Sequence, residues 1–248
     1  MFNLTDIHCH ALSRIDDGAE NSSMMKNMLD IAYSDGIRKI CFTPHFKIFE
    51  FRNDNDINTY NTLTKQIFSI AVEYVKEKYP DMSLFLGNEV MYHSDFFSSL
   101  SKKHYRTLNN SLYVLVEFNP NVSEFDLKNG IMRILRKGFI PLLAHIERYG
   151  VLIKNFNLLQ ELKQMGALFQ VNAKSIVGIK FGKTATFLKK ALKSEMVHVV
   201  ATDAHDDVTF KPLLSKAFSY ISRHFGENYA KRIFCDIPTA ILNNEKNF

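Results

Sequence analysis

Short apolar runs alternate along the chain with longer segments in which apolar positions recur near every 3.6 residues. The runs Leu4–His8, Lys39–Thr43, Leu84–Gly87, Tyr113–Glu117, Ile140–Ala144, Ala167–Val171 and Val197–Ala201 read as strands. Between them, Met25, Met28, Leu29 and Ala32 fall on one face of a helix, with Ser22 or Ser23 as N-cap and Gly36 just past its end. Ile57–Lys78, Glu124–Lys137, Asn155–Met165, Thr184–Lys193 and Phe210–His224 carry the same helical pattern. Strands separated by helices predict an α/β protein with a parallel sheet. Seven such units, with no linker, charge block or break in composition, predict one barrel-like domain spanning residues 1–248. An open, doubly wound sheet is the rival architecture.

Composition narrows the function classes. The 248 residues are 46% hydrophobic and 23% charged, with a formal net charge of +5, ordinary values for a globular chain. The mild basicity suits anionic partners but lacks the clustered face of a nucleic-acid binder. No signal peptide and no apolar run of membrane-spanning length is present, which predicts no membrane insertion. Cys9, Cys41 and Cys235 are odd in number and widely spaced, so reduced thiols in a cytoplasm are expected. None begins a Cys-x5-Arg phosphate loop, because Ile15, Lys47 and Ile241 stand where the arginine is needed.

Functional groups of a (β/α) barrel gather at the C-terminal ends of its strands. Here those ends read Asp6-Ile7-His8-Cys9-His10, Thr43-Pro44-His45, Gly87-Asn88-Glu89, Val116-Glu117, Ala144-His145, Val171-Asn172 and Thr202-Asp203-Ala204-His205. His8 and His10 are two apart, so both rings project to one side of an extended strand, and Cys9 points the other way into packing. Imidazoles joined by carboxylates supply the donors of a divalent transition metal. The candidate ligands are His8, His10, Asp16, His45, Glu89, Glu117, His145, Asp203 and His205, too many for one tetrahedral ion. Two or three ions sharing bridging carboxylates are expected. His198 reads as a packed ring inside the last strand, and His93, His104 and His224 as solvated.

This set of motifs resembles the PHP (polymerase and histidinol phosphatase) superfamily. Ile15-Asp16-Asp17-Gly18-Ala19, Gly87-Asn88-Glu89-Val90, Ala144-His145-Ile146-Glu147-Arg148-Tyr149 and Gln170-Val171-Asn172-Ala173 narrow the resemblance to the CpsB/YwqE group of manganese-dependent bacterial protein-tyrosine phosphatases. The resemblance implies a distorted (β/α)7 TIM-like barrel (the PHP fold) and a metal role for the nine candidate ligands. It puts Asp16 ahead of Asp17, names Mn first with Fe, Zn or Co as alternatives, and gives Arg148 to the substrate phosphate. It implies as partner a phosphotyrosine protein, the C-terminal tail of a bacterial tyrosine kinase in capsule or exopolysaccharide synthesis. Three departures stand out. Ser13-Arg14 replaces the group's Pro-Gly, Ile146 replaces a proline, and Lys211 is the nearest basic residue where the group has a second phosphate-binding arginine.

The chemistry expected is phosphoester hydrolysis by a hydroxide bridging the metals, with Arg148 and Lys211 neutralising phosphoryl charge. Asp206, His205 or a water is the candidate general acid. A PHP phosphatase of a small phosphomonoester such as histidinol phosphate, an amidohydrolase-like barrel and a non-catalytic metal-binding module are the alternatives.

Overall fold

The computed structural model describes residues 3–93, 104–178 and 181–246. Among these, β1 (Leu4–Cys9), β2 (Ile37–Phe42), β3 (His45–Phe46), β4 (Ser83–Leu86), β5 (Glu89–Met91), β6 (Tyr113–Glu117), β7 (Ile140–Leu143), β8 (Leu168–Asn172) and β9 (Val199–Ala201) all pair in parallel. The main helices between them are α1 (Ser22–Ser34), α2 (Asp54–Lys78), α3 (Glu124–Arg136), α4 (Phe156–Met165), α5 (Lys183–Lys193) and α6 (Ser215–Phe225). The order of strands is β1-β2-β4 in one sheet and β3-β5-β6-β7-β8-β9 in the other.

The extra strands arise because two predicted strands each continue after a break. Pro44 has no N–H to give a ladder, and the chain steps from β2 to β3 across Thr43-Pro44. The neighbouring strand steps in the same place, from β4 to β5 across Gly87-Asn88. Asn88 plugs the gap: its side-chain amide donates to Pro44 O at 2.8 Å, and its carbonyl accepts from Arg106 N–H at 2.9 Å. These steps carry His45 and Glu89 over from one sheet to the other, where they pair with each other. The curled sheet closes at its C-terminal end, where Asp203 N–H donates to His8 O and Ala204 O accepts from His10 N–H, both at 2.8 Å. A distorted barrel, not an open doubly wound sheet, is the result.

Two apolar layers hold this shape. One packs the outer strand faces against the helices and includes Met25, Met28, Leu29 and Ala32 of α1. The other fills the barrel, where Ile7, Cys41, Tyr113, Leu115, Leu142 and Val199 meet Ile237, Ile241 and Leu242 of a C-terminal helix, Ile237–Leu242. That helix closes the end of the barrel opposite the strand ends, and Thr5 and Lys39 bond Thr239 on it.

Several local expectations are corrected. Asn21, not Ser22 or Ser23, caps α1 through its side chain to Met24 N–H at 3.0 Å, although Gly36 ends it with φ +97° as its permissive backbone allows. The helix expected from Phe210 begins at Ser215, because Asp35 accepts Leu214 and Ser215 N–H there and Pro212 lies in the preceding loop. His198 precedes β9 and is half-buried, with Nδ1 accepting Phe169 N–H at 3.1 Å. His93 and His104 are half-buried rather than solvated, whereas His224 is exposed.

Candidate metal centre

Six of the strand ends deliver donors to one point. β1 brings His8 and His10, β3 His45, β5 Glu89, β6 Glu117, and the turns after β7 and β9 bring His145, Asp203 and His205. Glu89 is the hub: its Oε2 lies 3.1 Å from His8 Nε2, 3.3 Å from His10 Nε2 and 3.1 Å from His45 Nδ1, and its Oε1 lies 2.9 Å from His145 Nε2. Asp203 Oδ1 faces the same pair of rings, 3.2 Å from His8 Nε2 and 3.5 Å from His10 Nε2. Among the described residues three groups could each hold an ion: His8, His10, Glu89 and Asp203; His45, Glu89 and Glu117; and His10, Asp17, His45 and His205. Glu89 belongs to two of them, the position of a bridging carboxylate.

Asp16 and Asp17 divide differently from the expectation. Asp17 Oδ1 approaches His45 Nε2 at 3.5 Å and His205 Nε2 at 3.6 Å, which puts Asp17 among the donors. The Asp16 side chain is buried behind the rings: its Oδ2 accepts from His10 Nδ1 at 2.7 Å and from His45 N–H at 2.9 Å, and its Oδ1 accepts from Gly18 N–H. It aims the His10 imidazole and anchors the His45 backbone instead of completing a donor group.

The outer ring nitrogens are committed in the same manner. His10 Nδ1 donates to Asp16, and His205 Nδ1 donates to Asp203 O at 2.8 Å. His8 Nδ1 donates to Gln170 Oε1 at 3.1 Å, which also accepts from His145 N–H at 2.7 Å. Each proton on Nδ1 leaves an Nε2 lone pair pointing inward, as a metal site requires. Gln170 Nε2 donates to Asn172, whose Nδ2 donates to Asp203 Oδ2 at 2.7 Å, so one amide chain ties His8 to Asp203. Asp6 braces the β9 turn by accepting from Thr202 and from His8 N–H, and Glu147 accepts Asn172 N–H at 3.0 Å. Asp6, Gln170, Thr202 and Glu147 had no assigned role from sequence. His145 (φ +33°) and Asp203 (φ +53°) both take left-handed backbone, a strained conformation for side-chain-bearing residues that concentrates at functional sites.

The electrostatics show how strongly the donors are coupled. Burial opposes a charge on His8, yet the Glu89 and Asp203 carboxylates outweigh it and raise the ring to about 9. Burial and the adjacent Glu89 charge push Glu117 up to about 8. Burial also brings His45 down to about 4, against the pull of Glu89. Glu89 itself is buried, but the His8 charge and the neighbouring imidazoles hold it well below the usual carboxylate range. Glu89 Oε2 and His45 Nδ1 are buried without a well-directed hydrogen bond, though only 3.1 Å apart. Orphaned lone pairs, a shared carboxylate and a donor set of imidazole and carboxylate fit divalent metal ions.

An open depression of about 570 Å³ leads to the centre, lined by Asp17, His45, Lys47, Met91, Glu117, Arg148, Asp203, His205, Asp206 and Phe210. Arg148 sits on its rim with Nη2 2.6 Å from Asp203 Oδ2 and nearly half of its side chain exposed. Lys211 is exposed and does not line the depression. Asp206 is not suited to donate a proton: burial raises its carboxyl, but the N–H groups of Val208, Thr209 and Phe210, which its Oδ1 accepts, together hold it below the usual range.

The profile of the family "Capsular polysaccharide synthesis, CpsB/CapC" matches residues 4–243. The chain belongs to the CpsB/CapC family. It is 34% identical to the tyrosine-protein phosphatase CpsB of Streptococcus pneumoniae, over 98% of this chain and 99% of that protein. It is 31% identical to the tyrosine-protein phosphatase YwqE of Bacillus subtilis, over 90% of this chain and 85% of that one. A crystal structure from a study of YwqE and CpsB as unique metal-dependent tyrosine phosphatases superposes with a TM-score of 0.83, at 28% identity and covering 99% of this chain and 96% of the other.

Within the CpsB/CapC family, the departures noted in the sequence have local structural outcomes. Arg14, where the resemblance calls for glycine, adopts φ +59°, so the loop keeps the left-handed turn at the cost of strain. Ile146 is buried in the turn between His145 and Arg148, which keeps its tight form without proline.

Proposed function

We propose that this CpsB/CapC chain is a metal-dependent protein-tyrosine phosphatase that uses two or three divalent ions, manganese foremost. The observation that carries the reading is the sharing of Glu89 by two donor groups beneath an open rim that bears Arg148. His8, His10, His45, Glu89, Glu117, His145, Asp203, His205 and Asp17 hold the ions, and Asp16 aims the His10 ring and fixes the His45 backbone. The relatives named as tyrosine-protein phosphatases support the substrate.

When bound, the ions supply Lewis acidity and make a nucleophile from water at neutral pH. Arg148 keeps one edge on Asp203 and turns its exposed part to the phosphoryl oxygens, a planar fork that matches their geometry. His205, its Nδ1 fixed on a backbone carbonyl, is oriented by that bond and does not swing to meet the leaving group. A phenolate leaves with a pKa near 10, so a tyrosyl ester needs little proton donation, and the loss of Asp206 as a candidate acid is tolerable. The thiols take no part: burial pushes Cys9 well above its ordinary range, and burial likewise raises Cys235 to about 11.

The donors run from His8 to His205, which supports residues 1–248 acting as one domain. A tail of a bacterial tyrosine kinase in capsule synthesis is the proposed partner, and the cytoplasm, where three unpaired cysteines stay reduced, the proposed compartment. No described helix is long and apolar enough to cross a membrane. The open rim favours a protein segment over an enclosed metabolite. Comparing kcat/KM of the manganese-loaded protein on a phosphotyrosine peptide and on histidinol phosphate tests this. The peptide is expected to be the better substrate, and the reverse order overturns the proposal.

A further inference from the structure

Phe210 is a large apolar side chain left 45% exposed at the edge of the depression, beside the donor His205. Its ring stands nearly perpendicular to the His205 ring, at 72° with centroids 6.5 Å apart. The backbone around it is pinned on both sides: Phe210 O accepts His205 N–H at 3.0 Å, and Phe210 N–H donates to Asp206 Oδ1 at 2.9 Å. One face of the ring is covered by the Lys174 ammonium, 3.5 Å from the centroid. Lys174 lies on the short helix Ala173–Val177, immediately after Asn172, the residue that bonds Asp203. Two different strand ends thus fix one aromatic ring at the mouth of the metal centre.

Resting on the function proposed above, we propose that Phe210 is the residue that selects aryl over alkyl phosphate esters, and that Lys174 positions it. A phenyl ring entering with its phosphate at the centre meets the Phe210 ring edge-to-face or offset, the arrangement aromatic pairs prefer at centroid separations of about 4.5–7 Å. The cation over the far face holds the ring upright by its attraction to the π cloud. An alkyl ester presents no ring and gains nothing from the contact. This also gives Asp206 a role: its carboxylate ties the loop that carries Phe210.

The test is the ratio of kcat/KM on a phosphotyrosine peptide to that on the phosphoserine peptide of the same sequence, both read on one manganese-loaded preparation. The ratio does not depend on the fraction of protein that is folded or loaded. Phe210→Ala and Phe210→Leu are expected to lower the ratio by about three- to tenfold, the worth of an aromatic pair. Lys174→Met is expected to lower it by a smaller factor, through KM, and Lys174→Arg to restore it, because a guanidinium also stacks on an aromatic face. An unchanged ratio in both Phe210 variants overturns the proposal. A parent chain that hydrolyses no aryl phosphate overturns instead the functional reading beneath it.

Discussion

At the scale of single residues, the centre is decided as much by the groups behind the imidazoles as by the imidazoles. The candidate donors were legible in the sequence because His and carboxylate at one strand end after another is a pattern that packing does not produce. Gln170 was not, since a lone polar residue in an apolar run does not reveal which way it faces. In the fold it accepts both from His8 and from the backbone of His145, and so sets two donors at once. Gln170→Leu keeps the volume and removes the acceptor. We expect it to weaken metal binding by about 10–100-fold, the usual cost of losing such a partner. Titration against a competing chelator measures this, and unchanged affinity would show that His8 needs no outer partner. The choice between Asp16 and Asp17 was equally hidden, because adjacent carboxylates on a loop differ only in how the loop turns.

At the scale of elements, the strands were readable and the joints between them were not. Tyr113–Glu117 emerges with the expected bounds, as a fully buried parallel strand made of a continuous apolar run should. The steps at Thr43-Pro44 and Gly87-Asn88 are set by tertiary pairing, which no local pattern encodes, yet they bring His45 against Glu89. The loop after β1 is as demanding. It folds over its own strand end, with Arg14 N–H on Ala19 O and Ala19 N–H on His10 O. Gly18 lies so close beneath it that an added Cβ would sit 1.8 Å from His10 O. The obstacle is backbone, so it cannot move aside without shifting the donor strand. Gly18→Ala should therefore yield a folded barrel with reduced metal content by elemental analysis. Full metal content in that variant would mean that the loop does not shape the centre.

At the scale of the whole molecule, donors from both halves of the chain meet only because β9 closes on β1, and the C-terminal helix Ile237–Leu242 fills the opposite end. This closure gathers charged groups in a buried site, and the metal-free protein should register it. His8, raised to about 9, contributes stability that is complete below its unfolded pKa near 6.5 and is lost as pH rises through 9. Glu117, raised to about 8, retains a proton that the unfolded chain has lost, so stability also falls as pH rises towards 8. The Tm of chelator-treated protein is thus expected to drop between pH 7 and 9, while manganese, which displaces those protons, restores it increasingly over the same range. A Tm independent of pH across this window in the metal-free protein would argue against the buried network. The metal requirement of the chemistry is the central claim, and one measurement reaches it directly: hydrolysis of a phosphotyrosine peptide by protein stripped with EDTA, reloaded with manganese, and treated separately with iodoacetamide. Activity is expected to vanish on stripping, return with the metal and survive alkylation of the thiols. Full activity in chelator, or its loss on alkylation of the loaded protein, would contradict the account.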